Sequence, residues 1–236
     1  MKERPILFST PMVKAILAGH KTMTRRVVKQ QPTNPPFSAK FDDDGFLWWE
    51  LNARGNWLTS WQKCPYGMPG DRLWVRETWC VGSKHNFTTP RDLPVRKMSV
   101  IYKSGGSCSN APSGRWECDT WPAEGNIPDW SGPMRPSIFM PRWASRITLE
   151  IVCTRVERLQ NISSEDAKHE GFEPCYYGGA VSAVEPFAVA WDRSYKKRGY
   201  SWSANPWVWV VSFRMIDALA NKETTANEAA KAGGRE

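Results

Sequence analysis

Leu17-Ala18-Gly19-His20-Lys21-Thr22-Met23-Thr24-Arg25-Arg26 is the stretch on which the fold turns. It leaves a helix, makes a turn and enters a strand within ten residues. Upstream, residues 5–8 (PILF) form a short apolar run suited to a strand. Ser9 or Thr10 can cap the helix that follows, and Pro11 sits in its first turn, where a missing N–H costs nothing. Met12, Val13, Ile16 and Leu17 supply one apolar face. Gly19 is placed to end that helix in the left-handed conformation. The polar side chains of Lys21, Thr22 and Thr24 therefore sit on the exit from a helix, and a strand is expected from Arg25 to Lys29.

Downstream the pattern favours strands. Residues 30–70 are rich in Pro, Asn, Asp, Gly and Trp, with a hairpin expected at Asp44-Gly45 between Phe41 and Phe46-Leu47-Trp48. Gly70-Asp71 turns into an alternating strand, with Leu73, Val75 and Glu77 on one side and Arg72, Trp74 and Arg76 on the other. A short strand at 100–103 follows. Residues 104–137 show no period, so a long excursion is expected there. Residues 145–153 alternate as a strand. Ser163-x-x-Asp166 is a capping box and Gly171 a stop, bracketing a two-turn helix that ends at Glu170. Val184, Phe187, Ala188 and Trp191 mark a second amphipathic helix, with Pro186 in its first turn. Residues 206–214 form the last strand, and 218–236 form a polar tail expected to be disordered. Short alternating strands that outnumber helices predict a mainly β, α+β chain: a small, partly closed barrel with helices at its openings and long loop insertions. The domain reading is one domain over residues 1–217, with insertions at about 30–70 and 104–137.

Charge narrows the function classes. The chain of 236 residues has 32 Lys+Arg against 24 Asp+Glu, a net charge of +8, and 14 Trp. Residues 1–40 hold eight of the basic side chains and only one acidic one, Glu3. The excess is thus N-terminal, a local field that attracts polyanions. The longest strongly apolar run, residues 207–211, is far short of a membrane span, and no signal-peptide core follows Met1, so a cytoplasmic location without a membrane partner is expected. The six cysteines form no C-x-x-C pair. Reduced thiols are expected, with Cys108, Cys118 and His85 making only a loose metal-type pattern; no metal and no cofactor are expected. No Gly-rich phosphate loop, H-E-x-x-H or G-x-S-x-G occurs, which removes NTPases, zincins and α/β-hydrolases.

Four segments in order resemble the ASCH domain family of PUA-like barrels, in its larger, prophage-type branch. They are Leu17-Ala18-Gly19-x-Lys21-Thr22-x-Thr24-x-Arg26, the strand entry Pro69-Gly70-Asp71-Arg72-Leu73-Trp74-Val75-Arg76-Glu77, the acidic helix Ser163-Ser164-Glu165-Asp166-Ala167-Lys168-His169-Glu170-Gly171, and the closing strand Asn205-Pro206-Trp207-Val208-Trp209-Val210. The resemblance implies recognition of RNA, or of a modified nucleoside, in a basic cleft. Some small bacterial members are N4-acetylcytidine amidohydrolases using a lysine, a threonine and a glutamate, which match Lys21, Thr24 and Glu170. In that scheme Thr24 is the nucleophile, Lys21 the base that activates it, and Glu170 the orienter or acid. Lys21 serves only if burial or neighbouring cations such as Arg25 and Arg26 lower its pKa. Gly19, Arg25, Arg26, Arg76, Glu77, Trp79, Tyr200 and Trp202 are the candidate binding residues, the aromatics as stacking platforms. Trp74, Trp191, Trp207 and Trp209 are expected in the core, and Trp116, Trp121 and Trp130 as pins of the long loop. Three non-catalytic roles stand beside these: Lys21 binding phosphate, Thr24 satisfying backbone groups at the helix exit, and Glu170 merely neutralising Lys21. A third function class is a phage interaction protein that contacts a protein partner through the Trp-rich loop 104–137.

Overall fold

The computed structural model describes residues 1–29, 31, 39–41, 46–49, 62–94, 98–110, 116–119, 122, 124, 126–177 and 180–216. The expected turn at Asp44-Gly45, Trp121 and the tail 218–236 lie outside them. Elements run in the order β1 (Glu3–Leu7), α1 (Thr10–Leu17), β2 (Met23–Val27), β3 (Ala39–Phe41), β4 (Phe46–Trp49), β5 (Gln62–Lys63), β6 (Arg72–Arg76), β7 (Trp79–Cys80), β8 (Ser99–Tyr102), β9 (Ser107–Asn110), β10 (Trp116–Asp119), β11 (Thr148–Arg158), α2 (Ser164–His169), β12 (Cys175–Tyr177), β13 (Ala180–Ser182), α3 (Val184–Tyr195) and β14 (Trp207–Ile216). The class is mixed α+β with mostly strands, and among the described residues no sheet closes into a barrel. No helix among them is long and apolar enough to cross a membrane.

The chain packs as two compact units. The first comprises residues 1–2, 18–72 and 150–214. Its strands are ordered β11–β14–β2, with β14 and β2 antiparallel and Val210 opposite Arg25. One face carries Met23, Val208 and Val210, which pack on Ala167 of α2 and on Phe187 and Trp191 of α3. The spacing of Phe187 and Trp191 is the helical period read from the sequence, and both are buried. The other face carries Val28 and Trp209, which meet Cys64. Both faces of β14 are therefore covered, and its residues Val208 to Val211 are all buried. Strands β3, β4 and β5 form a separate antiparallel sheet, with Phe41 opposite Leu47 as the hairpin reading requires. A further hairpin, β12–β13, pairs Tyr176 with Val181.

The second unit comprises residues 3–17 and 73–149, with the described residues 215–216. Here β7–β8–β9–β10 form an antiparallel meander. Trp79, Val81, Met98, Val100, Tyr102 and Met140 are among its core residues. Two expectations are corrected in this unit. Residues 104–137 are not a structureless excursion, because β9 and β10 pair there. These strands, SCSN and WECD, are only four residues long and hold no β-branched side chain, so their alternation is too short to mark them against the Gly-, Ser- and Pro-rich flanks. The six thiols are not all reduced either. Cys108 and Cys118 stand directly opposite in the register and form a disulfide, while Cys64, Cys80, Cys153 and Cys175 are outside any disulfide.

Candidate functional site

The site in the first unit is built from two chain turns. Helix α1 ends where expected: Gly19 adopts φ +76°, and the chain reverses into Lys21. Helix α2 begins at the capping box, with the Ser163 side chain accepting from the Asp166 N–H. It ends at Glu170, after which Gly171 takes φ +88°. An isolated bridge then sets Glu170 opposite Lys21. The Thr22 N–H donates to the His169 carbonyl at 2.9 Å and holds the two turns together.

Lys21 is a buried charge with every donor engaged. Its Nζ donates to Glu170 Oε2 at 2.7 Å, to the Glu170 carbonyl at 2.8 Å and to the Met23 carbonyl at 2.8 Å. The side chain is 0% exposed and that of Glu170 3%. Arg25, also wholly buried, reaches Glu170 Oε1 at 3.4 Å, Glu157 Oε1 at 2.5 Å and Asp166 Oδ2 at 2.6 Å. Arg155 closes the ring through Glu157 Oε2 at 3.2 Å and Asp166 Oδ2 at 2.8 Å. Three cations thus face three carboxylates. Burial pushes the Lys21 pKa below the ordinary lysine value, against the pull of Glu170, and Arg26 and Arg25 add to the lowering. Burial also works against the Arg25 charge, but Glu170, Glu157 and Asp166 outweigh it and hold its pKa above the ordinary value.

The proposed catalytic residues are only partly brought together. Lys21 and Glu170 touch. Thr24 pairs with Val211 in the register, whereas Arg25 pairs with Val210. Alternation along β2 therefore sends Thr24 to the face opposite the one that carries Met23 and Arg25. Thr24 is buried there. Among the candidate binding residues, Arg25 is committed to the cluster, and Arg26 is half-buried next to it in sequence. Arg76, Glu77 and Trp79 belong to the second unit. Arg76 lies over the Trp74 ring, 4.7 Å from its centroid. Glu77 is buried and paired with Arg146 at 2.9 Å. Trp79 is 0% exposed within that unit's core, edge-on to Trp143, which leaves its ring no face for a base.

Tyr200 and Trp202 fare differently. Both are half-buried on the segment 200–207 of the first unit. Trp191 Nε1 donates to the Tyr200 carbonyl at 2.8 Å, and the Trp202 N–H donates to Asp192 Oδ1 at 2.5 Å. Gln160 Nε2 donates to the Trp202 carbonyl at 2.9 Å, and Arg158 Nη1 to the Asn205 carbonyl at 3.0 Å. The Trp207 N–H donates to Gln31 Oε1 at 2.8 Å. Asn205 adopts φ 43°, a conformation uncommon outside glycine, and its side chain accepts from the Gln160 N–H at 2.8 Å. The Arg158 guanidinium lies 4.7 Å from the Trp207 ring centroid. The exposed cations Lys196, Lys197 and Arg198 lead into this segment, and the Tyr200 hydroxyl reaches the Lys29 carbonyl at 3.5 Å.

Several of these residues were not visible as site residues in the sequence. Asp166 shows in the sequence only as half of a capping box, and Glu157 lies beyond the strand read at 145–153 and carries no signal of its own. Trp207, expected in the core, packs against the Val28–Cys64–Trp209 cluster but stays partly exposed, with Arg158 over its ring. Among the described residues no group of three or more His, Cys, Asp or Glu is arranged to hold a metal ion. No family model matches the chain, and no curated protein or solved structure matches it.

Proposed function

We propose that this chain recognises RNA, or a modified nucleoside within it, on the first unit. The supporting observation is the pinned segment 200–207. It carries Tyr200, Trp202 and Trp207, each partly exposed, among Lys29, Arg158 and the run Lys196-Lys197-Arg198, with Trp202 backed by the Phe187–Trp191 core and Trp207 by the Val28–Cys64–Trp209 cluster. Aromatic faces interleaved with cations suit single-stranded nucleic acid, because bases stack on the rings while phosphates meet the charges. The hydrogen bonds that hold the segment lower the ordering cost on binding. In the same unit the Lys21–Arg25–Glu170 cluster joins β2 to the end of α2. The ASCH resemblance and its PUA-like barrel belong to the same proposal. The test is the affinity of the whole chain for a short single-stranded RNA. Arg158→Ala and Lys197→Glu are expected to weaken it several-fold each with circular dichroism unchanged; affinity indifferent to both would refute the reading.

A second reading is hydrolysis of an N4-acylated cytosine. The buried Lys21–Glu170 contact favours it, since a lysine with a lowered pKa beside a carboxylate is an acid–base pair. The opposite-face position of Thr24 counts against a threonine nucleophile. Release of cytidine from N4-acetylcytidine above a Lys21→Ala control would establish it, and no release would remove it.

A further inference from the structure

The second unit holds a cavity of ≈ 300 Å³ lined by Ser83, Lys84, His85, Met98, Ser99 and Trp130, together with Gly82. None of these residues enters the surface described above. Its walls are fixed by backbone: the Ser83 N–H donates to the Trp130 carbonyl at 2.8 Å, and the Gly132 N–H to the Val81 carbonyl at 2.8 Å. Gly82 and Ser131 form a bridge. At Gly132 a Cβ would stand 2.2 Å from Asn86 Oδ1 and 3.2 Å from the Val81 carbonyl, so a side chain there would have to displace the Asn86 amide. Arg135 clamps the outer loop by donating to the His85 carbonyl at 2.7 Å and the Thr88 carbonyl at 3.0 Å.

The lining has two characters. Lys84, His85 and the two serine hydroxyls offer a cation, an imidazole and donors suited to a phosphate. Trp130, 46% exposed, and Met98 offer a flat apolar wall. The volume lies at the lower end of small-molecule sites and suits one nucleotide rather than a chain of them. We propose that this cavity is a second site, which binds a single phosphorylated nucleotide. The base lies against Trp130 and the phosphate meets Lys84 and His85. The nucleotide is either free or the phosphorylated end of a strand.

Calorimetric titration of the whole chain tests this with cytidine 5′-monophosphate, cytidine, inorganic phosphate and a 5′-phosphorylated tetranucleotide as probes. The nucleotide is expected to bind saturably at one site and more tightly than cytidine or phosphate. Lys84→Ala and Trp130→Ala should each weaken it by about tenfold. Lys84→Glu, at an exposed position, serves as the second charge variant if Trp130→Ala fails to fold. A tetranucleotide that competes for the same site marks a strand end as the ligand; one that does not marks the free nucleotide. Absence of saturable binding, equal affinity for cytidine, or affinity unchanged in both Lys84 variants would overturn the proposal. Loss of nucleotide binding in Arg158→Ala would also overturn it by placing the site on the first unit. RNA affinity in that same variant reports separately on the RNA reading.

Discussion

Lys21 shows what a single buried charge requires of its surroundings. All three of its donors are satisfied, and its charge is matched by Glu170. Removing one partner leaves the other charge buried without compensation, so Glu170→Gln is expected to lower unfolding free energy by about 3–5 kcal/mol. Urea unfolding measures this. The double change Lys21→Met with Glu170→Leu should recover most of the loss, because it removes the desolvation of both ions. The same residue predicts a pH dependence. Its folded pKa lies below 10.5, so between those two values the unfolded chain binds the additional proton. Stability contributed at Lys21 therefore rises with pH through that window and levels off above 10.5. Urea midpoints of the wild type and Lys21→Met should diverge in favour of the wild type as pH rises towards that value. Converging midpoints would contradict the direction.

Helix α2 is six residues long and would not persist alone. The Ser163 cap holds its start, and packing of Ala167 holds its face. Ser163→Ala is expected to cost about 1 kcal/mol in thermal or chemical unfolding, the ordinary worth of an N-cap. The cost bears on the site, because this helix delivers Asp166 and Glu170 to Arg25. The β9–β10 pair depends on a covalent link as well as on its ladder. Thiol titration checks that link. Exposed Cys153 and Cys175 should react in the native protein, and buried Cys64 and Cys80 only after denaturation. Cys108 and Cys118 should react only after reduction as well. Six reactive thiols in unreduced, denatured protein would show that the link is absent.

At the scale of the whole molecule, the net charge of +8 is not a uniform coating. Lys21 and Arg25, two of the cations in the basic N-terminal stretch, are neutralised inside the first unit, while Lys29, Arg158, Lys196, Lys197 and Arg198 are the cations that the proposed RNA surface would set against phosphates. Five such contacts set an upper slope of about 3.5 for log affinity against log salt with single-stranded RNA. Lys197→Glu should flatten that slope, and a flat response in the wild type would exclude a phosphate-reading surface. Much of the secondary structure was legible locally. The cap at Ser163, the stops at Gly19 and Gly171, and the period of Phe187 and Trp191 act over a few residues, and the structure carries each of them. The strands β9 and β10 were not legible, because each is four residues long, without a β-branched side chain, inside a stretch rich in Gly, Ser and Pro. Local chemistry by itself determined where helices begin and end, which strands alternate, and that positive charge gathers near residue 21. Only the tertiary structure decided that Glu170 pairs with Lys21 across 149 positions, that Glu157 and Asp166 claim Arg25, and that Thr24 faces away from them. Caps and periods are set by neighbours along the chain. Ion pairs and strand faces are set by register between distant segments, and buried charges accept only the partners that this register brings within reach.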